Sequence, residues 1–161
     1  MPKALVCYFS KTGNVQKMAE IIADTLNGQG IFVTLKSIDK VELSSLTDFD
    51  CILLGSPTTY GSMAWPVKQF IDKSVKIHGE LKGKVGGAFT SCAYLGGGNE
   101  STLMSILKAF MIHGMIIQGN PIKNYFGPVC LGAPDKNSRV EIEEYAKNIS
   151  VLLKRLFPEE K

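Results

Sequence analysis

The part of the sequence best suited to chemistry is a short polar segment that could bind a phosphate, Ser10-Lys11-Thr12-Gly13-Asn14-Val15. It follows an apolar run, Ala4 to Phe9, and leads into a periodic apolar pattern. A strand, a turn and a helix start in this order surround an anion with unpaired N–H groups and the positive end of a helix dipole. The hydroxyls of Ser10 and Thr12 could add hydrogen bonds, or they could only cap the helix.

Two better known phosphate loops do not match this segment. A Walker loop ends in Gly-Lys-Ser or Gly-Lys-Thr, and a dinucleotide-binding fold needs G-x-G-x-x-G after its first strand. The chain has neither pattern at this place. In its polar segment, hydroxyls and backbone N–H groups could bind a dianionic phosphate monoester without help from a cationic side chain.

The elements that must position this segment alternate along the whole chain. Apolar runs predict strands at Ala4–Phe9, Ile31–Leu35, Cys51–Gly55, Val85–Phe89 and Met115–Ile117, with helical apolar stripes between them and a last helix after Asp135. This order predicts an α/β fold, a doubly wound five-stranded parallel sheet of order 2-1-3-4-5 in three α/β/α layers. Pro66 suits a helix start, Asn99 could cap the third helix, and Gly114 could end it.

Length, charge and cysteine usage limit the class of protein. The 161 residues fit a single domain, residues 1–161. With 18 Lys and Arg against 15 Asp and Glu and no block of like charge, the chain shows no nucleic-acid footprint. No apolar run reaches membrane-spanning length and no leader precedes the first strand, so we expect a cytoplasmic protein. Its four cysteines lack metal or redox spacing and are expected to be buried free thiols.

In such a sheet, ligands bind beyond the carboxyl ends of the strands. The loops expected there combine small polar residues, glycines and aromatic rings, at 55–65 and at 90–98. A flavin ring needs apolar walls and close main-chain donors, and Tyr60, Tyr94 and Trp65 could supply the walls. Trp65 could equally be ordinary packing. A flavin with a phosphate tail is FMN, so these loops together predict an FMN site.

Gly61 and the two histidines are weaker candidates for a functional role. The carbonyl of Gly61 could accept a hydrogen bond from flavin N5 when the ring takes up an electron and a proton, or Gly61 could form a plain turn. His113 precedes Gly114, where a helix dipole would favour an imidazolium, and is expected to be a helix cap. His78 is expected to be solvated. The sequence shows no hydrolase-type catalytic set and no metal-ligand set.

With these loops in place, the chain resembles the flavodoxin superfamily over nearly its whole length. Within it, the segments GSPTTYGSM, GGGNE and HGM are similar to those of the WrbA-type NAD(P)H:quinone oxidoreductases and their short flavodoxin-like relatives. The resemblance implies FMN contacts from Ser10, Lys11, Thr12, Gly13, Asn14 and Val15, from Pro57, Thr58, Thr59, Tyr60 and Gly61, from Thr90, Ser91, Cys92, Tyr94 and Gly96, and from His113, the last across a subunit interface.

The resemblance leaves three functions to separate. The first is a flavodoxin-type redox protein that passes electrons to partner proteins, and the second is an FMN-dependent NAD(P)H:quinone oxidoreductase acting on small quinone and nicotinamide substrates. The third is an interaction module without flavin. Thr59 stands where WrbA-type proteins carry arginine, which departs from the enzyme pattern. The excess of Lys and Arg over Asp and Glu departs from the usual acidic flavodoxin. Trp65 and His113 hint at a homodimer.

Overall fold

The centre of the protein is a parallel sheet whose inner strands are apolar on both faces. In this computed structural model, which describes residues 1–158, the strands are β1 Lys3–Tyr8, β2 Phe32–Ser37, β3 Cys51–Thr59, β4 Ser62–Met63, β5 Val85–Cys92, β6 Ile116–Ile117 and β7 Val129–Leu131. Side chains of a strand point alternately to its two faces. Because both faces of this sheet are covered, β1 and β3 carry apolar residues at successive positions.

Four α-helices cover the two faces: α1 Asn14–Gly28, α2 Trp65–Lys73, α3 Asn99–Ile112 and α4 Lys136–Leu156. Helices α1 and α4 pack on one face, over Val6 and Leu53. Helices α2 and α3 pack on the other, over Leu5 and Ile52. Short 3-10 helices at Ile38–Lys40, Leu43–Asp48 and Ser74–Ile77 complete the connections. The predicted α/β/α layers are confirmed.

The strand order is β2-β1-β3-β5-β6, and every neighbouring pair in it is parallel. Since β4 is only the return strand of a hairpin on β3, this is the predicted 2-1-3-4-5 order. The last strand position differs from the prediction, because two short pieces share it. β6 pairs with the start of β5 at Val85–Gly86, and β7 pairs with its end at Thr90–Cys92.

Helix ends follow local chemistry with one correction. Pro66 lies in the first turn of α2, and Gly114 follows α3 with φ +78°, as predicted. Asn99, predicted as the cap of α3, is instead its first residue, and Gly98 with φ +106° precedes it. Only glycine adopts that backbone conformation without strain, so the glycine rather than the amide side chain sets the start of the helix.

Two predictions about the chain as a whole can be compared with the structure. All four cysteines are free and buried, as expected. Across residues 1–158, none of the helices combines the length and apolar character needed to cross a bilayer. Burial raises the pKa of the Cys7 thiol to about 12. The cysteines therefore act as small apolar core residues.

Candidate functional site

The polar segment after β1 forms an anion cradle at the start of α1. Gly13 precedes the helix with φ +90°, and its N–H donates to Ser10 Oγ at 3.1 Å. The first hydrogen bond within the helix runs from Lys17 N–H to Gly13 O, at 3.1 Å. The N–H groups of Asn14 and Val15 lie before that first donor, so they point out of the helix towards any anion placed there. A Cβ on Gly13 would meet nothing within 4 Å, so the space beside it is open.

The carboxyl end of β3 continues into a hairpin with β4. Tyr60 and Gly61 form its two-residue turn with φ +45° and +82°, the combination that closes a type I′ hairpin. The Tyr60 side chain is fully exposed at the tip. Behind the turn, Ser56 Oγ accepts the Ala64 N–H at 2.9 Å and so ties the start of α2 to β3. The hairpin is thus held at its base and open at its tip.

The carboxyl end of β5 leads into an exposed loop, residues 93–98, and then into α3. Ser91 Oγ donates to Gly132 O at 2.7 Å, which ties this strand end to the segment after β7. Thr90 is fully buried, and the next two residues, Ser91 and Cys92, line the cleft; a contact of Thr90 with a cofactor stays a prediction. Asn99 Oδ1 accepts the Gly96 N–H at 3.3 Å and closes the loop against α3.

These loops enclose one cleft of about 270 Å³ at the carboxyl edge of the sheet. It is lined by Ser10, Lys11, Thr12, Asn14, Val15, Pro57, Thr58, Ser91, Cys92, Ala93 and Gly132. Nine of the residues predicted as cofactor contacts are therefore brought together there. Thr59, Tyr60, Gly61, Tyr94 and Gly96 lie in the loops above the cleft. Ala93 lies within the loop predicted at 90–98, whereas Gly132 was missed; the only sequence signal for Gly132 was its place shortly before Asp135, the cap of α4.

The electrostatics of the cleft suit an anion. Lys11 is the only charged residue among those lining it, and no carboxylate takes part. Burial raises the pKa of the Cys92 thiol, so this cysteine lines the cleft as a neutral group. Among residues 1–158, no group of three or more His, Cys, Asp or Glu side chains could hold a metal ion. The cleft therefore offers hydrogen-bond donors and one lysine to a ligand.

The loops at the carboxyl edge of the sheet carry large apolar side chains that are open to solvent. Tyr60, Trp65, Tyr94 and Leu95 are all at least 70% exposed. Trp65 is thus not ordinary core packing, which was one of the two alternatives for it. A pocket that encloses a whole drug-sized ligand has roughly 300–1,000 Å³. The smaller cleft accommodates the polar tail of a molecule, with an aromatic rim above it for a ring.

His113 lies away from the cleft of its own chain, and its contact with FMN across a subunit interface stays a prediction. It caps the carboxyl end of α3, as expected, but it is buried, and its Nε2 hydrogen-bonds Ser74 Oγ at 2.8 Å. It precedes β6, which pairs with the amino end of β5, whereas the cleft adjoins the carboxyl end, about 16 Å of strand away. Burial, with a smaller contribution from His78, lowers the pKa of His113 and favours the neutral imidazole over the expected imidazolium.

The residues present fit FMN. Unpaired N–H groups and open space at Gly13 suit its phosphate, and the exposed aromatic rim suits a flat ring with apolar faces. Residues 5–110 match the family model described as a flavodoxin domain. The chain belongs to the flavodoxin family, and it is an FMN-binding redox protein.

The similar proteins include both flavodoxins and an NAD(P)H dehydrogenase (quinone), two of the functional classes that the sequence leaves open. The chain is 35% identical to a flavodoxin of Aquifex aeolicus, over 88% of this chain and 80% of that protein. It is 32% identical to an NAD(P)H dehydrogenase (quinone) of Archaeoglobus fulgidus, over 97% of this chain and all of that protein. A solved structure of a flavodoxin, WrbA-like protein from Agrobacterium tumefaciens has a TM-score of 0.84 at 25% identity and covers 96% of this chain and 99% of its own.

Proposed function

We propose that this protein is a flavodoxin-type electron carrier that holds FMN at the carboxyl edge of its sheet and exchanges electrons with partner proteins there. The observation that carries the proposal is the combination of an anion cradle with an aromatic rim around one cleft. FMN supplies the redox chemistry when it is bound. The chain supplies binding, orientation and partial exclusion of water, because no side chain of the cleft has the character of an acid, base or nucleophile set.

The phosphate of FMN is assigned to the loop from Ser10 to Val15. Its oxygens would accept hydrogen bonds from the N–H groups at the start of α1 and from the Ser10 and Thr12 hydroxyls. The ring is assigned to the rim, beside Tyr60 and Tyr94, with the Gly61 carbonyl at its edge. Pro57, Thr58 and Ser91, between these two regions, would contact the middle of the molecule.

The second candidate, an NAD(P)H:quinone oxidoreductase, has the support of the Archaeoglobus relative. The alignment with that protein spans 190 positions although this chain has 161 residues, so the relative carries segments that this chain lacks. To enclose a small substrate over the ring, this edge of the sheet would need further segments of chain. The open rim of Tyr60, Trp65 and Tyr94 favours a large partner surface, and therefore the carrier.

The visible spectrum of the purified protein is the first test. Flavin absorption bands that are bleached by dithionite are expected, together with one FMN per chain after extraction. Steady NAD(P)H oxidation with benzoquinone would then favour the oxidoreductase, whereas reduction only through a partner reductase would favour the carrier. If no flavin copurifies and none can be added back to the folded chain, the proposal is wrong and a flavin-free interaction module takes its place.

A cytoplasmic location and a homodimer stay predictions. Four buried free cysteines support a reducing compartment. Trp65 and His113 are the residues that suggest the dimer. Of these two, only Trp65 is exposed and available for contact with a second chain. Light scattering after gel filtration measures the mass directly, and a mass near 17.6 kDa would mean a monomer.

A further inference from the structure

A chain of three hydroxyl groups runs behind the cleft, from α3 to β5. Thr102 Oγ1 lies 3.1 Å from Thr58 Oγ1, which lies 2.9 Å from Thr90 Oγ1. Thr90 Oγ1 lies 2.6 Å from the Ser56 carbonyl oxygen. Thr90 and Thr102 are fully buried, whereas Thr58 lines the cleft. A residue in the first turns of α3 is thereby connected to a residue that faces the cofactor site.

The direction of these hydrogen bonds follows from the number of protons. Each hydroxyl has one proton to donate. A carbonyl oxygen can only accept, so the proton of Thr90 is used on Ser56 O, the nearest acceptor. The contact between Thr58 and Thr90 then requires the proton of Thr58. The contact between Thr102 and Thr58 in turn requires the proton of Thr102.

Thr102 has a second acceptor within reach, the Gly98 carbonyl oxygen at 2.9 Å. That oxygen already accepts the Thr102 N–H, also at 2.9 Å. If the hydroxyl proton were used there alone, the oxygens of Thr102 and Thr58 would face each other at 3.1 Å without a proton between them. A proton shared between the two acceptors, a common arrangement at helix ends, avoids this repulsion and keeps the direction of the chain.

This direction fixes what Thr58 can offer to a ligand. Its only proton is used on Thr90, and one of its two lone pairs accepts from Thr102. One lone pair is left towards the cleft. The Thr58 side chain therefore acts as an acceptor, which suits an O–H or N–H of the ligand and does not suit a phosphate oxygen.

The same turn of α3 also contacts the hairpin tip. A Cβ on Gly98 would lie 2.2 Å from Gly61 Cα and 2.6 Å from Gly61 O, so the two backbones are in direct contact. Thr102 binds Gly98 through its N–H and Thr58 through its hydroxyl. Thr102 therefore contacts both the backbone that packs on the hairpin tip and the hydroxyl of Thr58 in the cleft.

We propose that Thr102 is a positioning residue for the cofactor. It keeps the Thr58 hydroxyl turned as an acceptor towards a hydrogen-bond donor in the non-phosphate part of FMN, a ribityl hydroxyl or a ring N–H. The inference rests on the proposed FMN site. It adds to that site a residue that does not itself touch the ligand.

The test compares the affinities of Thr102→Val and Thr102→Ser for FMN and for riboflavin, which lacks the phosphate. Thr102→Val keeps the shape and removes the donor, and we expect it to weaken both ligands by the same factor, about 5-fold. If the donor is a ring N–H, the reduction potentials of the bound FMN should shift as well. Thr102→Ser keeps the hydroxyl and should restore affinities and potentials. In a Thr58→Val background, Thr102→Val should have no further effect.

Each outcome bears on one of the two proposals. Unchanged affinity and potentials in Thr102→Val, or a Thr102→Ser that is as weak as Thr102→Val, would overturn the role of the hydroxyl. A loss for FMN but not for riboflavin would also overturn it, because the effect would then lie at the phosphate. If Thr102→Val does not fold, Thr102→Ala replaces it in the same comparison. A wild-type protein that binds neither ligand contradicts the FMN site itself.

Discussion

The two ends of α3 lie at opposite edges of the sheet, and they differ in how open their surroundings are to solvent. At its start, Gly98 contacts the hairpin tip, and the nearby rings of Tyr60 and Tyr94 are open to solvent. At its end, His113 is buried and hydrogen-bonded to Ser74, and Gly114 turns the chain into β6. We call the carboxyl edge, at the start of α3, the open edge, and the amino edge, at its end, the closed edge.

Several polar groups at the closed edge have partners within the chain, although the buried Nδ1 of His113 has none among residues 1–158. Lys84 Nζ donates to the carbonyl oxygens of Thr47 and Phe49, at 2.9 and 2.6 Å. Lys3 N–H donates to Asp50 Oδ2 at 2.8 Å. At the carboxyl edge, the first N–H groups of α1 have no partner within their helix. The ligand site is therefore expected at the edge where N–H groups and aromatic rings are open to solvent.

The largest effect is expected from a negative charge in the anion cradle. Thr12→Asp should weaken FMN binding at least about 100-fold, because the carboxylate would repel the phosphate at short range. Thr12→Asn has the same size without the charge and should lose far less. The same charge at the closed edge, in Val75→Asp, should leave FMN affinity unchanged. Fluorescence titration measures all three, and equal affinity of the Asp and Asn variants would contradict the placement of the phosphate.

A smaller effect is expected from a methyl group at the start of α3. Gly98→Ala adds strain at φ +106° and a Cβ that collides with the Gly61 backbone. The hairpin tip must move, so we expect FMN affinity to fall about 10-fold and the protein to lose about 1–3 kcal/mol of stability. Titration and urea unfolding measure the two quantities. A variant with wild-type affinity would show that the hairpin tip does not contact the flavin.

The matched change at the other end of the same helix should affect stability alone. Gly114→Ala also places a side chain at positive φ, +78°, but the atoms nearest its Cβ would be those of Lys82, at 3.2–3.3 Å, which is a milder contact than the one at Gly98. We expect a loss of about 1–2 kcal/mol in urea unfolding, with FMN affinity unchanged. Weaker FMN binding in this variant would mean that the two edges are coupled through α3.

The buried histidine predicts a pH effect confined to the closed edge. Because the pKa of His113 is lowered in the folded protein, the unfolded chain binds the proton more readily. Stability is therefore complete above the ordinary histidine pKa, about 6.5, and falls as the pH drops below it. His113→Gln should flatten this part of the curve, measured between pH 7.5 and 5 by urea unfolding. A variant that keeps the wild-type slope would assign the effect to another group.

The smallest effect is expected from salt. The hairpin and the loop between β5 and α3, residues 56–65 and 90–98, contain no Asp, Glu, Lys or Arg. Docking over an uncharged rim gains little from electrostatic steering, so electron transfer to a partner should change less than about 2-fold between 50 and 500 mM salt. Stopped-flow reduction measures the rate. A steep fall with salt would mean that charges outside the rim, such as Lys11, take part in docking.

Much of the open edge could be predicted because its signals are local in sequence. The hydroxyl-rich turn before α1, the hairpin residues Tyr60 and Gly61 and the glycines before α3 all lie next to strand or helix starts. A parallel sheet brings the loops after its strands to one edge, so neighbouring strand ends were expected to form one site. The predicted ends of β3 and β5, Gly55 and Phe89, fall short of the observed ends, Thr59 and Cys92. The split of the last strand into β6 and β7 was missed because each piece has only two or three residues.

The element order, the two covered faces of the sheet and the cradle before α1 follow from the amino-acid sequence, because they depend on periodicity and on residues adjacent in the chain. Three other features emerge only when the chain is folded. His113 lies far from the cleft, Gly132 lines it, and Thr102 reaches Thr58, 44 positions away. Such contacts depend on distances between separate elements, which no local pattern of residues encodes.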